Sequence, residues 1–179
     1  AGTLGFSNAL EYFFETATAM EKTYPNIHFV LVGGGEFKSF YKEKYSHLTN
    51  ITFGPQVNKN QVNSVLQNVD LLYFSTFNSK IWKYGQSLNK LVDYMFSGKP
   101  IIGLYSGYYS MINEANCGKY VAHSEYKKIP KIIESYSVMD KTDLEKIGNN
   151  GLNWLLANRK YSELARKYSI IIDNILSVK

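Results

Sequence analysis

Residues 84–104, reading YGQSLNKLVDYMFSGKPIIGL, hold the densest chemistry in the chain. A polar turn rich in Gly, Ser and Asn runs into a helical pattern with Lys90 and Asp93 near its start. A Gly-Lys-Pro break then leads to a short apolar strand. Ser87 stands where a helix cap is needed, since its hydroxyl can accept one of the free backbone N–H groups of the first turn. The remaining N–H groups and the positive end of the helix dipole make a seat for phosphate. Lys90 adds a cation on the same turn. Asp93 follows three residues later, one turn down and roughly on the same face. A carboxylate repels phosphate but can accept from both hydroxyls of a ribose. An anion seat beside a diol acceptor is the outline of a nucleotide site. The same residues also suit an amphipathic surface helix capped by Ser87, with Leu88, Leu91, Val92 and Met95 facing the core. Physical chemistry alone leaves both readings open.

These residues need elements to hold them, and the chain supplies an alternating series. Ile27–Val32, Ile51–Phe53, Asp70–Ser75, Pro100–Leu104 and Lys119–Ala122 read as strands, short and rich in apolar or β-branched residues. Helices are expected at about 7–23, 35–48, 59–68, 87–97 and 107–116, and three more near 127–137, 141–157 and 160–177. In the first, Leu10, Phe13, Phe14, Ala17 and Met20 recur at helical spacing and Pro25 helps to end it. Such alternation predicts βαβ units: an α/β fold with a Rossmann-like, doubly wound parallel sheet and helices on both faces. In such sheets ligands bind outside the carboxyl ends of the strands. The turns there are Gly2–Ser7, Gly33–Glu36, Gly54–Asn58, Ser75–Ser87 and Tyr105–Tyr108, and each of the five contains glycine, as close approach to a ligand requires. Ala1–Leu4 reads as the tail of a first strand, which suits a lobe taken from a longer polypeptide.

At 179 residues the chain fits one domain or one large lobe. No apolar run approaches the roughly 20 residues that span a membrane, and the start has no signal-peptide pattern. With one cysteine, Cys117, there is no internal disulfide and no thiolate cluster, which suits a cytoplasmic setting. The net charge of +5 comes almost wholly from lysines spread from Lys22 to Lys179, with only Arg159 and Arg166 as arginines. That spread argues against a nucleic-acid stripe and fits peripheral contact with anionic lipid at the inner membrane surface better.

Taken together, several stretches resemble the C-terminal, donor-binding half of a GT-B glycosyltransferase of the group 1 type (retaining family 4). They are GTLGFSNALEYFFETA, YPNIHFVLVGGGEFK, NITFGPQVNKNQVNSVLQNVDLLYFS, YGQSLNKLVDYMFSGKPII and IGNNGLNWLLANRKYSELARKY, covering essentially the whole chain. The version Tyr-Gly-x-Ser-x-Asn-Lys-Leu is similar to a bacterial subset that transfers N-acetylated amino sugars in surface-polysaccharide assembly. The resemblance implies that Asp93 holds the donor ribose, in the place of the second glutamate of a Glu-x7-Glu motif. The first glutamate falls at Gly85, so its contact to the donor sugar is missing. Backbone N–H groups of Leu88, Asn89 and Lys90 would face the diphosphate, with Ser87 beside them. Gly2 and Thr3 lie in the first turn, which also approaches the phosphates; the family often has an arginine and a lysine there, where this chain has Thr3 and Ser7-Asn8. Gly34 and the Gln56-Val57 turn would lie beside the nucleobase. An N-terminal lobe, absent from this chain, would bind the acceptor and supply the catalytic residues.

The implied activity is transfer of a sugar from a UDP-N-acetylhexosamine type of donor to a glycan or lipid-linked acceptor, with no cofactor and no metal. Two rivals remain: a sugar-nucleotide 2-epimerase lobe, which needs carboxylates and a histidine in the crevice, and a non-catalytic nucleotide-sugar-binding scaffold. His28 reads as a structural residue inside an apolar strand, and His47 and His123 lie at element ends with no ligand at metal spacing. Asp70 reads as a turn or cap contact. Lys80, Trp82, Lys83 and Tyr84, like Tyr105, Tyr108 and Tyr109, either touch the donor sugar or decorate a loop.

Overall fold

Five four-residue strands alternate with helices through the first two thirds of the chain, and three helices close it. The computed structural model describes residues 1–177. The strands are β1 (Phe29–Val32), β2 (Ile51–Gly54), β3 (Leu72–Ser75), β4 (Ile101–Leu104) and β5 (Gly118–Val121). Between and around them lie α1 (Glu11–Met20), α2 (Lys38–Lys44), α3 (Val62–Gln67), α4 (Asn89–Phe96) and α5 (Met111–Ala115), followed by α6 (Ile129–Ser137), α7 (Lys141–Asn158) and α8 (Tyr161–Ser177). Every strand pair is parallel, as helical crossovers require.

Hydrogen bonding divides the strands into two sheets, β1-β2 and β3-β4-β5, where alternation alone suggests one continuous sheet. The first turn ties the two together. Gly2 and Leu4 donate their N–H groups to the carbonyls of Val32 and Gly34, at 2.9 and 2.7 Å. The Ser75 hydroxyl, at the end of β3, donates to the carbonyls of Asn8 and Ala9. β4 runs centrally and is buried along its whole length, which its unbroken Ile-Ile-Gly-Leu run already indicates.

Two apolar clusters cover opposite faces. On one, Phe13, Phe14, Ala17 and Met20 of α1 pack with Tyr41 of α2, Ile129 and Ile133 of α6, and Leu31, Ile102 and Leu104 from both sheets. Phe13 stacks edge-on against Phe29 at 5.4 Å and meets Tyr73 at 5.9 Å, so α1 bridges the sheets. On the other face, Leu66 of α3, Leu91 and Met95 of α4, Ile112 of α5 and Leu155 of α7 enclose Leu72, Phe74 and Ile101. Helices on both faces of parallel strands make the α/β, doubly wound arrangement expected from the sequence.

Several local expectations shift. The stretch 7–23 opens as a 3-10 turn at Phe6–Asn8 before α1 begins. His28 lies just outside β1, exposed, and shares a 2.8 Å hydrogen bond with the Thr52 hydroxyl. Val92 is 43% exposed, because the narrow apolar stripe of α4 runs through Leu91, Tyr94 and Met95 instead. Asp70 is exposed and precedes β3. Cys117 is fully buried, and burial pushes its thiol up to about 11, which leaves it inert at neutral pH.

Candidate functional site

The carboxyl ends of the strands, where a ligand crevice is expected in such sheets, include the Gly33–Glu36 turn that follows β1. Gly33 and Gly35 have positive φ, and a Cβ on either would collide with the chain at Gly2 or Leu4. These two glycines therefore admit the protein's own first turn, whereas the sequence pattern suggested a ligand. Gly34 differs, because its added Cβ would meet only the side-chain amide of Gln56, at 2.5 Å. Gly34 and the Gln56-Val57 turn thus do sit side by side. Gly2 and Thr3 are exposed at the crevice edge, and Asn8 reaches back to donate to the Thr3 carbonyl at 2.6 Å.

The second candidate element is the start of α4. Its cap residue is Leu88, half-buried, and no side chain bonds the first-turn N–H groups. Ser87 is exposed and lies one residue too early to cap, which corrects its expected role and leaves the helix terminus open. No acidic residue lies in the first turn. An uncapped, acid-free helix start is the condition under which backbone N–H groups can take an anion. Gly85 closes a 3-10 turn (Lys80–Tyr84) with φ +102, a conformation that side-chain-bearing residues rarely adopt.

Lys90 and Asp93 face this crevice through different partners. The Lys90 ammonium donates to the Asn8 side-chain oxygen, bringing the first turn against α4. Burial pulls the Lys90 pKa below the ordinary lysine value. Asp93 receives the Lys59 ammonium on both carboxylate oxygens, at 2.7 and 2.5 Å. Lys59 begins a 3-10 turn right after the Gln56-Val57 segment, so the pair joins the β2–α3 connection to α4. These contacts bring Lys90 to the first turn and Asp93 to the β2–α3 connection, with Lys59 as an added member that the sequence did not single out; Gly85 and Ser87 are not drawn into them.

Three further side chains organise the rim. Lys38 donates to the carbonyls of Gly33 and Gly54, at 2.8 and 2.5 Å, tying the ends of β1 and β2. Buried His123 shares a 2.6 Å hydrogen bond with the Thr76 carbonyl through Nε2 and a 2.8 Å bond with the Ser106 hydroxyl through Nδ1. Its backbone N–H also donates to that hydroxyl. The ring thereby pins the ends of β3, β4 and β5, and both nitrogens are occupied. The Trp82 indole donates to Phe77, and the Trp82 carbonyl accepts from Tyr108 N–H and the Tyr105 hydroxyl, so the two loops are sewn together. Tyr105 is buried, while Tyr108 and Tyr109 are exposed. Among the described residues no three His, Cys, Asp or Glu side chains gather as a metal site, and no helix is long and apolar enough to cross a membrane.

A family model described as "Glycosyl transferases group 1" matches residues 1–136. No curated protein matches the sequence significantly. Among solved structures, the chain is similar to the C-terminal domain of a glycosyl transferase group 1 family protein (LpcC) from Francisella tularensis. Identity is 19% and TM-score 0.70, over 90% of this chain and 84% of that one. It is also similar to the pneumococcal O-GlcNAc transferase GtfA, solved with UDP and GlcNAc, at 15% identity and TM-score 0.66, covering 98% of this chain. Anabaena Alr3699/HepE, solved with UDP-glucose, gives 14% identity and TM-score 0.67, over 98% of this chain. This chain spans 35% of the GtfA chain and 48% of the HepE chain. At these identities the likeness establishes the fold.

Proposed function

The chain belongs to the group 1 glycosyl transferases, and from that premise we propose that it is the donor-binding half of an enzyme that moves a sugar from a UDP-N-acetylhexosamine type of donor to a glycan or lipid-linked acceptor. The observation that carries this reading is the open, acid-free start of α4 with half-buried Lys90 beside it and Asp93 one turn on. The diphosphate takes the helix N–H groups and the Lys90 ammonium. The Asp93 carboxylate accepts from the ribose hydroxyls once Lys59 yields, and Gly34 and Val57 flank the base. That two proteins of similar fold were solved with UDP or UDP-glucose supports a nucleotide-linked donor.

Transfer begins as the anomeric C–O bond breaks and its electron pair moves onto the diphosphate oxygen. The helix dipole, the N–H groups of Leu88–Lys90 and the Lys90 charge stabilise that developing anion without reorganising. The acceptor hydroxyl then bonds to the anomeric carbon from the face the diphosphate leaves, which retains configuration, and passes its proton to the departing diphosphate oxygen. A second lobe binds the acceptor and completes the catalytic geometry, in keeping with the greater length of the similar proteins. Titrating the chain and its Lys90→Ala variant with UDP and with uridine tests the phosphate seat. The variant should lose affinity for UDP and keep its affinity for uridine, and salt should shrink the difference. Equal losses on the two ligands would overturn the assignment of Lys90 to the diphosphate.

A further inference from the structure

A cavity of about 550 Å³ opens beside the proposed nucleotide seat, lined by Asn78, Ser79, Lys80 and Lys83 on one side and by Ser106–Tyr108 on the other. It is a groove open to solvent, with room for a sugar ring. Its walls are built features. The Lys80–Tyr84 turn is closed by the Ser79 hydroxyl accepting from Ile81 N–H. Gly107 packs so closely on Tyr105 that an added Cβ would collide with the Tyr105 ring. Ser106 is held from behind by His123.

The charges around the cavity are unbalanced. Lys38, Lys59 and Lys90 are already committed, to two carbonyls, to Asp93 and to Asn8. Lys80 and Lys83 have no carboxylate partner among the described residues, and Lys83 rests only over the Tyr84 ring at 4.6 Å. The cavity lining contains no carboxylate. Lys80 and Lys83 are exposed on this open groove, and two lysines without a carboxylate partner on one side of it give it a positive bias. Tyr84 and Tyr108 are exposed, and Tyr108 lines the cavity, so an aromatic face is available to a sugar ring.

We propose that this groove binds an anionic group carried by a saccharide substrate, with Lys80 and Lys83 as the determinants that select a charged sugar over its neutral counterpart. The proposal rests on the reading of the crevice as a nucleotide-sugar site. The anion has two sources: a carboxylate on the donor sugar, or a phosphate at the end of the acceptor that reaches out of the second lobe to this groove.

The test titrates the chain and its Lys80→Gln/Lys83→Gln variant, with folding checked by circular dichroism, against three probes. They are UDP, the pair UDP-N-acetylglucosaminuronate and UDP-N-acetylglucosamine, and the pair N-acetylglucosamine 1-phosphate and N-acetylglucosamine in the presence of saturating UDP. Wild type should prefer the charged member of at least one pair by about tenfold, as a charge-assisted contact supplies, and the variant should lose that preference. A preference confined to the uronate pair assigns the anion to the donor, and one confined to the phosphate pair assigns it to the acceptor. UDP itself should bind both proteins equally. No charge preference in either pair, or one the variant retains, overturns the proposal while UDP binding leaves the nucleotide seat standing. Absence of UDP binding in wild type would instead count against the nucleotide reading.

Discussion

Lys90 and Asp93 show how far residue-level reasoning reaches. Their spacing on one helix face was legible from the sequence, because helical periodicity is local. Their partners were not, since Asn8 and Lys59 lie 82 and 34 residues away and only the fold brings them close. Gly85 and Gly33 make the same contrast. Both lie in turns at the strand ends, but Gly33 is required by contact with the first turn, whereas Gly85 carries a positive φ with open space beside it. Asp93→Ala should weaken UDP binding by about 1–3 kcal/mol, the cost of losing a charged hydrogen-bond partner. Lys59→Met should act in the opposite sense, tightening UDP by no more than about fivefold, because an exposed ion pair is worth at most about 1 kcal/mol. Calorimetric titration distinguishes the two, and a marked loss of affinity in Lys59→Met would mean that Lys59 itself contacts the ligand. Lys90 adds a pH signature. Burial lowers its pKa, so the free protein releases this proton at lower pH than an ordinary lysine. A bound diphosphate favours the charged form, so UDP binding should take up a proton in that window and weaken as pH rises through it. Equal binding enthalpies in buffers of different ionisation heat would show no such uptake.

At the scale of elements, periodicity located the strands and helices of the described residues, but placed their ends poorly. Ser87 illustrates why. Its hydroxyl suits a cap, but the half-buried Leu88 takes that position because it packs against the α4 cluster. A second feature escaped the pattern altogether. Gly148 and Gly151 sit on the buried face of α7, where they let it lie directly on the Gly98 turn and on Cys117. Read along the sequence they look like weak spots in a helix, since glycine lowers helix propensity. In the fold they set the distance between α7 and α4. Gly148→Ala would press its methyl into the Gly98 carbonyl, a backbone atom that cannot step aside. Overpacking of this kind costs about 1–3 kcal/mol, more than the helix propensity it gains. Urea denaturation should show that loss, and an unchanged or raised midpoint would mean that α7 can shift away from the turn.

On the scale of the whole molecule, the order of elements revealed an α/β lobe with its crevice at the strand ends, whereas the division into two sheets was invisible. It depends on which strand edges are paired, and apolar runs carry no record of edges. The closing helix α8 was legible in outline, and Tyr161, Leu164, Ala165, Tyr168, Ile171, Ile172 and Ile175 recur along it at helical spacing. Its burial went the other way from an ordinary amphipathic helix. None of its side chains is buried, and Ile171 and Ile175 are 55% and 66% exposed. Such a face gains stability only where something covers it. In the proposed two-lobed enzyme the acceptor lobe would cover it and close over the crevice, so donor binding and turnover separate physically. The chain alone should bind UDP yet neither transfer nor hydrolyse the sugar of UDP-N-acetylhexosamine above background. Supplying the acceptor lobe in the same polypeptide should bring turnover, because reacting groups are aligned only when both lobes close on the donor. Donor turnover by these 179 residues alone, at the roughly 1–1000 per second typical of enzymes, would place the whole catalytic apparatus within this lobe and end the two-lobe account.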